Sequence, residues 1–313
     1  MGRFLAPFAA AAAAGYGLEV GGASPYWIQI FQLACITAVS ALGLNLIYGF
    51  TGLFSLGHAA FYGIGAYTTA FLMKAYGGES QALFLASLLA GGGAAAIVAG
   101  LMGLPTLRLT SDYLGIATLG FGIIMKVLFD NADSLLPPLG GARGMTGIAK
   151  LTNVAWAVMV LGIAVLVVRN LVASSYGRAL IAIREDETAA STLGIDTFRC
   201  KIAGFVVGCA FAGLAGGLYA HLYAFLHPSN FDFFKSVDVL VIVVLGGLGN
   251  MSGTLVASFG WIFLLEGLRV ILPPGFIDLR WVLIPVLLIA TMLLRPQGLF
   301  GLREFPFLRG DSE

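Results

Sequence analysis

Apolar positions in this chain gather into blocks of membrane length, separated by short polar or glycine-rich breaks. A helix needs about 20 apolar residues to cross a hydrocarbon core of roughly 30 Å. Blocks of that grade lie near 27 to 50, 56 to 73, 82 to 104, 111 to 129, 153 to 172, 201 to 226, 237 to 249, 252 to 272 and 281 to 295. The pattern predicts an all-α fold, a polytopic membrane helix bundle of about 8 to 10 spans with broken or re-entrant helices, in a single domain over residues 1–313. The block after 237, VDVLVIVVLGGLG, meets glycines before it is long enough to cross untilted. Residues 130 to 152 are polar and rich in Pro and Gly, hence a loop outside the hydrocarbon. The opening MGRFLAPFAAAAAAGYG mimics a signal peptide and is read as a short first helix or a membrane-surface segment.

Composition agrees with a chain built for lipid. Of 313 residues 59% are hydrophobic and 11% charged, against about 25% charged in soluble domains, and mean hydropathy is +0.94. Net charge is +1 with Lys and Arg scattered singly, which gives no nucleic-acid surface. Cys35, Cys200 and Cys209 have neither paired nor metal-ligand spacing, so they read as small apolar fillers and no metal site is expected. Basic residues favour the cytoplasmic side. Residues 169 to 201 carry Arg169, Arg178, Arg184, Arg199 and Lys201, and the C-terminal tail carries Arg295, Arg303 and Arg309, so both belong inside. Four crossings between them return the chain to the same side. The loop at 130 to 152 then falls outside, in mild conflict with Lys126, Arg143 and Lys150.

The segment 173 to 199 carries signals for two short helices. Ser175 can cap one through Ile183, Asp186 can cap a second over Glu187 to Leu193, and Gly194 stands where helices end in a left-handed residue. Glu185, Asp186 and Glu187 crowd the positive N-terminus of the second helix, and Asp196 and Thr197 start the next span. A loop this ordered reads as a docking element for a cytoplasmic partner; the plainer reading is a solvated connector.

The stretch LGLNLIYGFTGLFSLGHAAFYGIGAY, residues 42 to 67, sets Asn45, Tyr48, Thr51, Ser55 and His58 among Gly49, Gly52 and Gly57. Broken backbone at membrane depth is tolerated only against protein or a watery cavity. These residues therefore either line a translocation path or tie helices together, at about 0.6 kcal/mol per interhelical bond. LGGLGNMSG at 245 to 253, with Asn250, is a weak echo in the second half. Gly204, Gly208, Ala212, Gly216 and Ala220 recur every fourth position, a smooth ridge for close helix packing, expected within this chain rather than against another. His221 and His227 are expected near the outer end of that span, within reach of water. Glu266 and Arg269 are spaced to pair, and Arg108 and Arg280 sit where they can snorkel.

No G-x-x-x-x-G-K-[ST] phosphate loop and no Gly-Lys pair occurs, so ATP energy must come from another polypeptide. An ion-coupled secondary transporter needs an ionisable group deep in the bilayer, for which Glu266 alone qualifies from sequence. An integral membrane enzyme needs clustered His, Cys, Asp or Glu, which the spacing does not give.

GLNLIYGFTGLFSLGHAAFYGIGAY, YGRALIAIREDETAASTLGID, VIVVLGGLGNMSGTLVAS and the terminal RPQGLFG occur in an order that resembles the LivM-type permeases of bacterial branched-chain amino acid ABC importers, from about residue 30 to 301. That resemblance implies a non-catalytic inner-membrane subunit paired with a homologous permease as a heterodimer, standing on two cytoplasmic ATPases that use ATP and Mg, and fed by a periplasmic binding protein. It also implies a coupling loop comprising Tyr176, Gly177, Arg178, Ala179, Ala182, Arg184, Glu185, Asp186, Glu187, Ala189, Ala190 and Gly194. Two stretches depart from the family pattern, ATLGFGII around Gly122 and GGARGMTG at Gly140 to Gly147. They leave urea, short amides or aromatic acids as alternative cargo.

Overall fold

The computed structural model describes residues 24–77, 80–109 and 111–271 and, of the C-terminal stretch, residues 286, 289–290, 293–295, 297–301 and 304–305. The expected N-terminal helix and most of the block at 281 to 295, with Arg280, Arg303 and Arg309, lie outside these residues. In order come α1 (Pro25–Leu44), a π-helical turn (Asn45–Phe50), α2 (His58–Tyr76), α3 (Gln81–Thr106), α4 (Ser111–Asp130), a short α5 (Ala132–Leu135), α6 (Val154–Ala173), α7 (Ser175–Glu185), α8 (Glu187–Thr192), α9 (Thr197–Tyr223), α10 (Phe233–Gly246) and α11 (Met251–Ile271). Among the described residues six helices are long and apolar enough to cross a membrane, and none of the named elements is a strand. The protein is an all-α, multi-pass helix bundle.

Helix α9 is the central mast. Its 27 residues span about 40 Å at 1.5 Å per residue, and it packs against α1, α2 and α3. In lipid the hydrophobic drive between helices is absent, so close backbone approach and dispersion contacts must supply the attraction. The glycine ridge provides it. A Cβ at Gly208 would stand 2.5 Å from the Gly43 carbonyl oxygen on α1, one at Gly216 would overlap the Tyr62 carbonyl on α2, and one at Gly204 would meet Thr51 Oγ1 at 2.9 Å. Ala212 and Ala220 on the same ridge are fully buried. The ridge thus faces this chain's own helices. A second face, at Gly213 and Gly217, receives α3 and Thr69 of α2.

The two ends of the bundle are distinguishable by their contacts. At one end Tyr26 Oη donates to Glu266 Oε2 at 3.1 Å, Met145 and Leu226 exchange two backbone hydrogen bonds, and Lys74 Nζ donates to the carbonyls of Pro138 and Thr146. The loop at 130 to 152 belongs to this end and is ordered by those bonds. At the other end the 173 to 199 segment, the α10–α11 turn and the described tail residues meet. The 173 to 199 segment and the described part of the tail therefore share one end of the bundle.

One helix is shorter than a span, and another begins below the end of the bundle. With 14 residues α10 reaches about 21 Å, less than the hydrocarbon thickness. Helix α2 starts inside the bundle: His58 Nε2 lies 3.0 Å from the Ser40 carbonyl oxygen, and Ser40 precedes Phe50 by ten residues, about 15 Å of helix. Residues 51 to 57 thus run non-helically from the end of the bundle to mid-depth.

Candidate functional site

The 173 to 199 segment folds as a two-helix elbow because each turn is capped locally. Ser174, not Ser175, caps α7: its Oγ accepts from Gly177 N, whereas Ser175 is already helical. Asp186 Oδ1 accepts from the amides of Thr188 and Ala189 at 2.8 and 3.0 Å and so starts α8. Gly194 takes φ +83°, a left-handed conformation that costs a Cβ-bearing residue roughly 1 kcal/mol or more, and Asp196 caps α9 through Arg199 N. A Cβ at Gly177 would overlap the Val172 and Leu171 carbonyls, so the elbow folds hard against the end of α6. Leu180, Ile183 and Ala190 are buried beneath it, and Lys201 at the base of α9 is 8% exposed and ion-paired to Glu187. Ala179 and Ala182 are half-buried. Tyr176, Arg178, Glu185, Asp186, Glu187 and Ala189 face out, and Leu193 is 81% exposed.

From the elbow, hydrogen bonds continue into the bundle. Arg184 Nη1 donates to the Gly49 carbonyl at 2.7 Å, taking an acceptor that the end of the α1 π-turn leaves free. One turn back, Asn45 is fully buried; its Oδ1 accepts from Gly249 N at 2.9 Å and its Nδ2 donates to the Asn250 carbonyl at 3.1 Å. Asn250 Oδ1 accepts from Gly253 N, capping α11, while Nδ2 donates to the Gly301 carbonyl at 2.8 Å. Elbow, π-turn, α10–α11 turn and tail are thereby joined in one knot. A Cβ at Gly49 would overlap Asn45 Oδ1 and Gly249 N, so no larger residue fits at its centre.

Above the knot lies the break at residues 51 to 57. Leu56 N donates to Thr118 Oγ1 at 3.0 Å, and Ala59 N, in the first turn of α2, donates to Ser236 Oγ at 2.9 Å. Thr51 Oγ1 returns a bond to the Leu46 carbonyl, and the Tyr48 ring packs edge-on to Phe54. Ser55 and His58 are 1% exposed. Among the described residues, Ser40 Oγ, Ser55 Oγ and His58 Nδ1 find no hydrogen-bond partner. Buried polar groups of this kind normally find a protein group or a water.

A family model described as branched-chain amino acid transport system / permease component matches residues 26–292. The chain belongs to this permease family. It is 34% identical over 307 residues to the high-affinity branched-chain amino acid transport system permease protein LivM of Escherichia coli strain K12, covering 87% of this chain and 69% of that one. It is 27% identical to LivH of Salmonella typhimurium, covering 85% and 92%, and 26% identical to BraD of Pseudomonas aeruginosa, covering 85% and 92%. No solved structure matches.

Within this permease the structure brings Asn45, Asn250 and Arg184 together, places Thr51, Ser55 and His58 along the break, and leaves Tyr48 half-buried beside it. Among the described residues no group of three His, Cys, Asp or Glu is placed to hold a metal ion. One expectation is corrected: His221 is fully buried, its Nδ1 2.8 Å from the Ala149 carbonyl and its ring edge-on to Phe84, because the 130 to 152 loop folds back over the end of α9. His227 is half-buried and bonded to Ser229. Glu266 pairs with Arg269 at 3.6 Å, and Arg108 lies 5.2 Å over the Phe198 ring. Sequence reasoning passed over Leu193, and also Lys235 and Asp238 in the first turns of α10, where Lys235 Nζ stands 5.9 Å over the buried Tyr62 ring. The i, i+3 spacing of a Lys and an Asp in an otherwise apolar helix was the available signal.

Asn45→Ala leaves Gly249 N without its acceptor, while the Asn250 carbonyl keeps Thr254 N and Thr254 Oγ1. We expect it to cost about 1–3 kcal/mol rather than the ~0.6 of one interhelical bond. His58→Ala, which loses a single bond to Ser40, should cost less. Thermal denaturation of the purified complex in detergent checks the order; equal midpoints for Asn45→Ala and wild type would exclude the knot as a stabilising element.

Proposed function

We propose that this chain is a non-catalytic permease subunit of an ATP-driven ABC importer for branched-chain or other hydrophobic amino acids. It pairs with a homologous permease, receives cargo from a periplasmic binding protein, and sits in a bacterial inner membrane with elbow and C-terminus in the cytoplasm. The names of its relatives, which include both LivM and LivH proteins, support the cargo and the pairing. The single observation that supports the mechanism best is the capped elbow, outward-facing on one side and bonded through Arg184 to the end of α1 on the other.

In this mechanism a separate ATPase grips α7 and α8. Because the chain carries no phosphate loop, shape change in the ATPase is its energy supply. The elbow transmits displacement through α6 and α9, to which it is directly joined, and through Arg184 to the π-turn and Asn45 to the α10–α11 turn. Rigid groups of helices then rock between outward and inward openings. The break and the start of α2, where Ser55 Oγ and His58 Nδ1 find no partner among the described residues, supply polar groups without fixed charge along the route.

The test is reconstitution of the chain with its partner permease, two ATPases and binding protein in liposomes. ATP-dependent leucine uptake that vanishes without the ATPases is expected. Accumulation of solute by this chain alone on an ion gradient, without nucleotide, would overturn the reading.

A further inference from the structure

A cavity of about 220 Å³ lies where the break ends and α2 and α10 begin. Its apolar walls are Leu56 and Ala59 from the break and α2, Leu119 and Ile123 from α4, and Phe233 and Phe234 from α10. Two charges of opposite sign also line it, Lys126 on α4 and Asp232 at the start of α10. Lys126 Nζ holds Asp130 Oδ2 at 3.2 Å, which leaves two ammonium protons uncommitted. Asp232 Oδ1 accepts from Lys235 N at 3.3 Å, and among the described residues Asp232 makes no ion pair.

The size and chemistry of this space narrow its occupant. An apolar cavity of about 150 Å³ suffices for benzene, so 220 Å³ accommodates a small solute. Lys126 lies one turn from the end of α4 and Asp232 caps the start of α10, so two helix ends of opposite charge face one pocket beside the break. One cation and one anion on separate walls do not suit a simple anion or cation, which would meet a like charge. They suit a zwitterion. The remaining lining is aliphatic and aromatic, which suits an apolar side chain. The pocket lies where an interrupted helix meets the start of a half-length helix, as transport sites commonly do, and it is open on the side where Ile123, Phe233 and Phe234 are exposed.

We infer that this cavity is an intramembrane station for a zwitterionic amino acid with an apolar side chain, Lys126 receiving its carboxylate, Asp232 its ammonium, and the walls around Ile123 and Phe234 its hydrocarbon. The inference rests on the transport reading above and adds to it a selectivity element within the permease itself. It explains why a route otherwise lined by uncharged groups keeps two charges at this point.

The test uses the full complex with leucine-loaded binding protein in liposomes. Lys126→Gln and Asp232→Asn are the variants; Asn retains the helix-capping oxygen, so α10 keeps its start. Each should lower leucine delivered per ATP hydrolysed at least tenfold, with binding-protein-stimulated ATPase held within twofold of wild type. Ile123→Trp, which fills the cavity without touching a charge, should do the same. Wild-type rate and KM in both charge variants would overturn the station. So would loss of stimulated ATPase together with uptake, since that marks the side chains as structural. Failure of the wild-type complex to carry leucine would instead remove the transport reading, and the wild-type control separates the two failures.

Discussion

Leu193→Asp, and separately Ala189→Arg, should reduce ATP-driven uptake below a tenth of wild type while the chain folds and inserts normally. Leu193 is 81% exposed at the tip of the elbow, and Ala189 faces out one turn before it. A large apolar side chain held out by a capped helix adds nothing to the stability of the isolated subunit. Its burial against a partner would contribute about 1.5–3 kcal/mol, and replacing it by a carboxylate adds the cost of an unpaired charge at that contact. Each 1.4 kcal/mol is tenfold in affinity, so loss of the ATPase on affinity purification should accompany loss of uptake. Exposed substitutions of this kind move folding stability by about 0.5 kcal/mol or less, so the thermal midpoint should hold. Full uptake by both variants would mean that the elbow's tip is not a docking surface.

Gly216→Leu should abolish accumulation of folded protein. The added Cβ would overlap the Tyr62 carbonyl oxygen and approach Ala66 N at 3.0 Å, both backbone atoms of α2. Neither can be moved by a rotamer change, so the mast must separate from α2 along the contact that organises the bundle. Overpacking alone costs about 1–3 kcal/mol, and loss of the neighbouring dispersion contacts adds to it. Gly93 on α3 is the control, because a Cβ there meets nothing within 4 Å and helical Ala is preferred to Gly by about 1 kcal/mol. Gly93→Ala should therefore equal or exceed wild type in the monodisperse fraction that survives heating in detergent. A folded, heat-stable Gly216→Leu protein would show that the ridge does not set the packing distance.

Features that depend on neighbours in the chain were legible in the sequence. The elbow's limits follow from side chains that cap amides two or three residues away; Ser174 takes the place expected of Ser175, α7 runs two residues past Ile183, and α8 stops one short of Leu193. The half-length α10 was legible because a glycine run bounds a block too short to cross, and the ridge because its period needs no knowledge of a partner. What the knot joins was not legible. Arg184 and Gly49 are 135 residues apart and Asn45 and Gly249 are 204 apart, so only the fold reveals them as partners. The burial of His221 was hidden for the same reason, since the covering loop comes from residues 130 to 152. Lys126 and Asp232 were readable as charges near block ends but not as two walls of one cavity, which requires α4 and α10 to be neighbours.

The unequal grip on the helices bears on how such a device can work without breaking. Only 22% of the apolar window of α4 is buried, against 94% for the continuous segment from Pro25 to Phe50. In the proposed mechanism a stroke delivered at the elbow meets a mast whose backbone is meshed with α1, α2 and α3, and the lightly fastened outrigger that carries Lys126 is the part left to tilt. Wear and substitution should be tolerated on that outrigger's free side and punished at the keel.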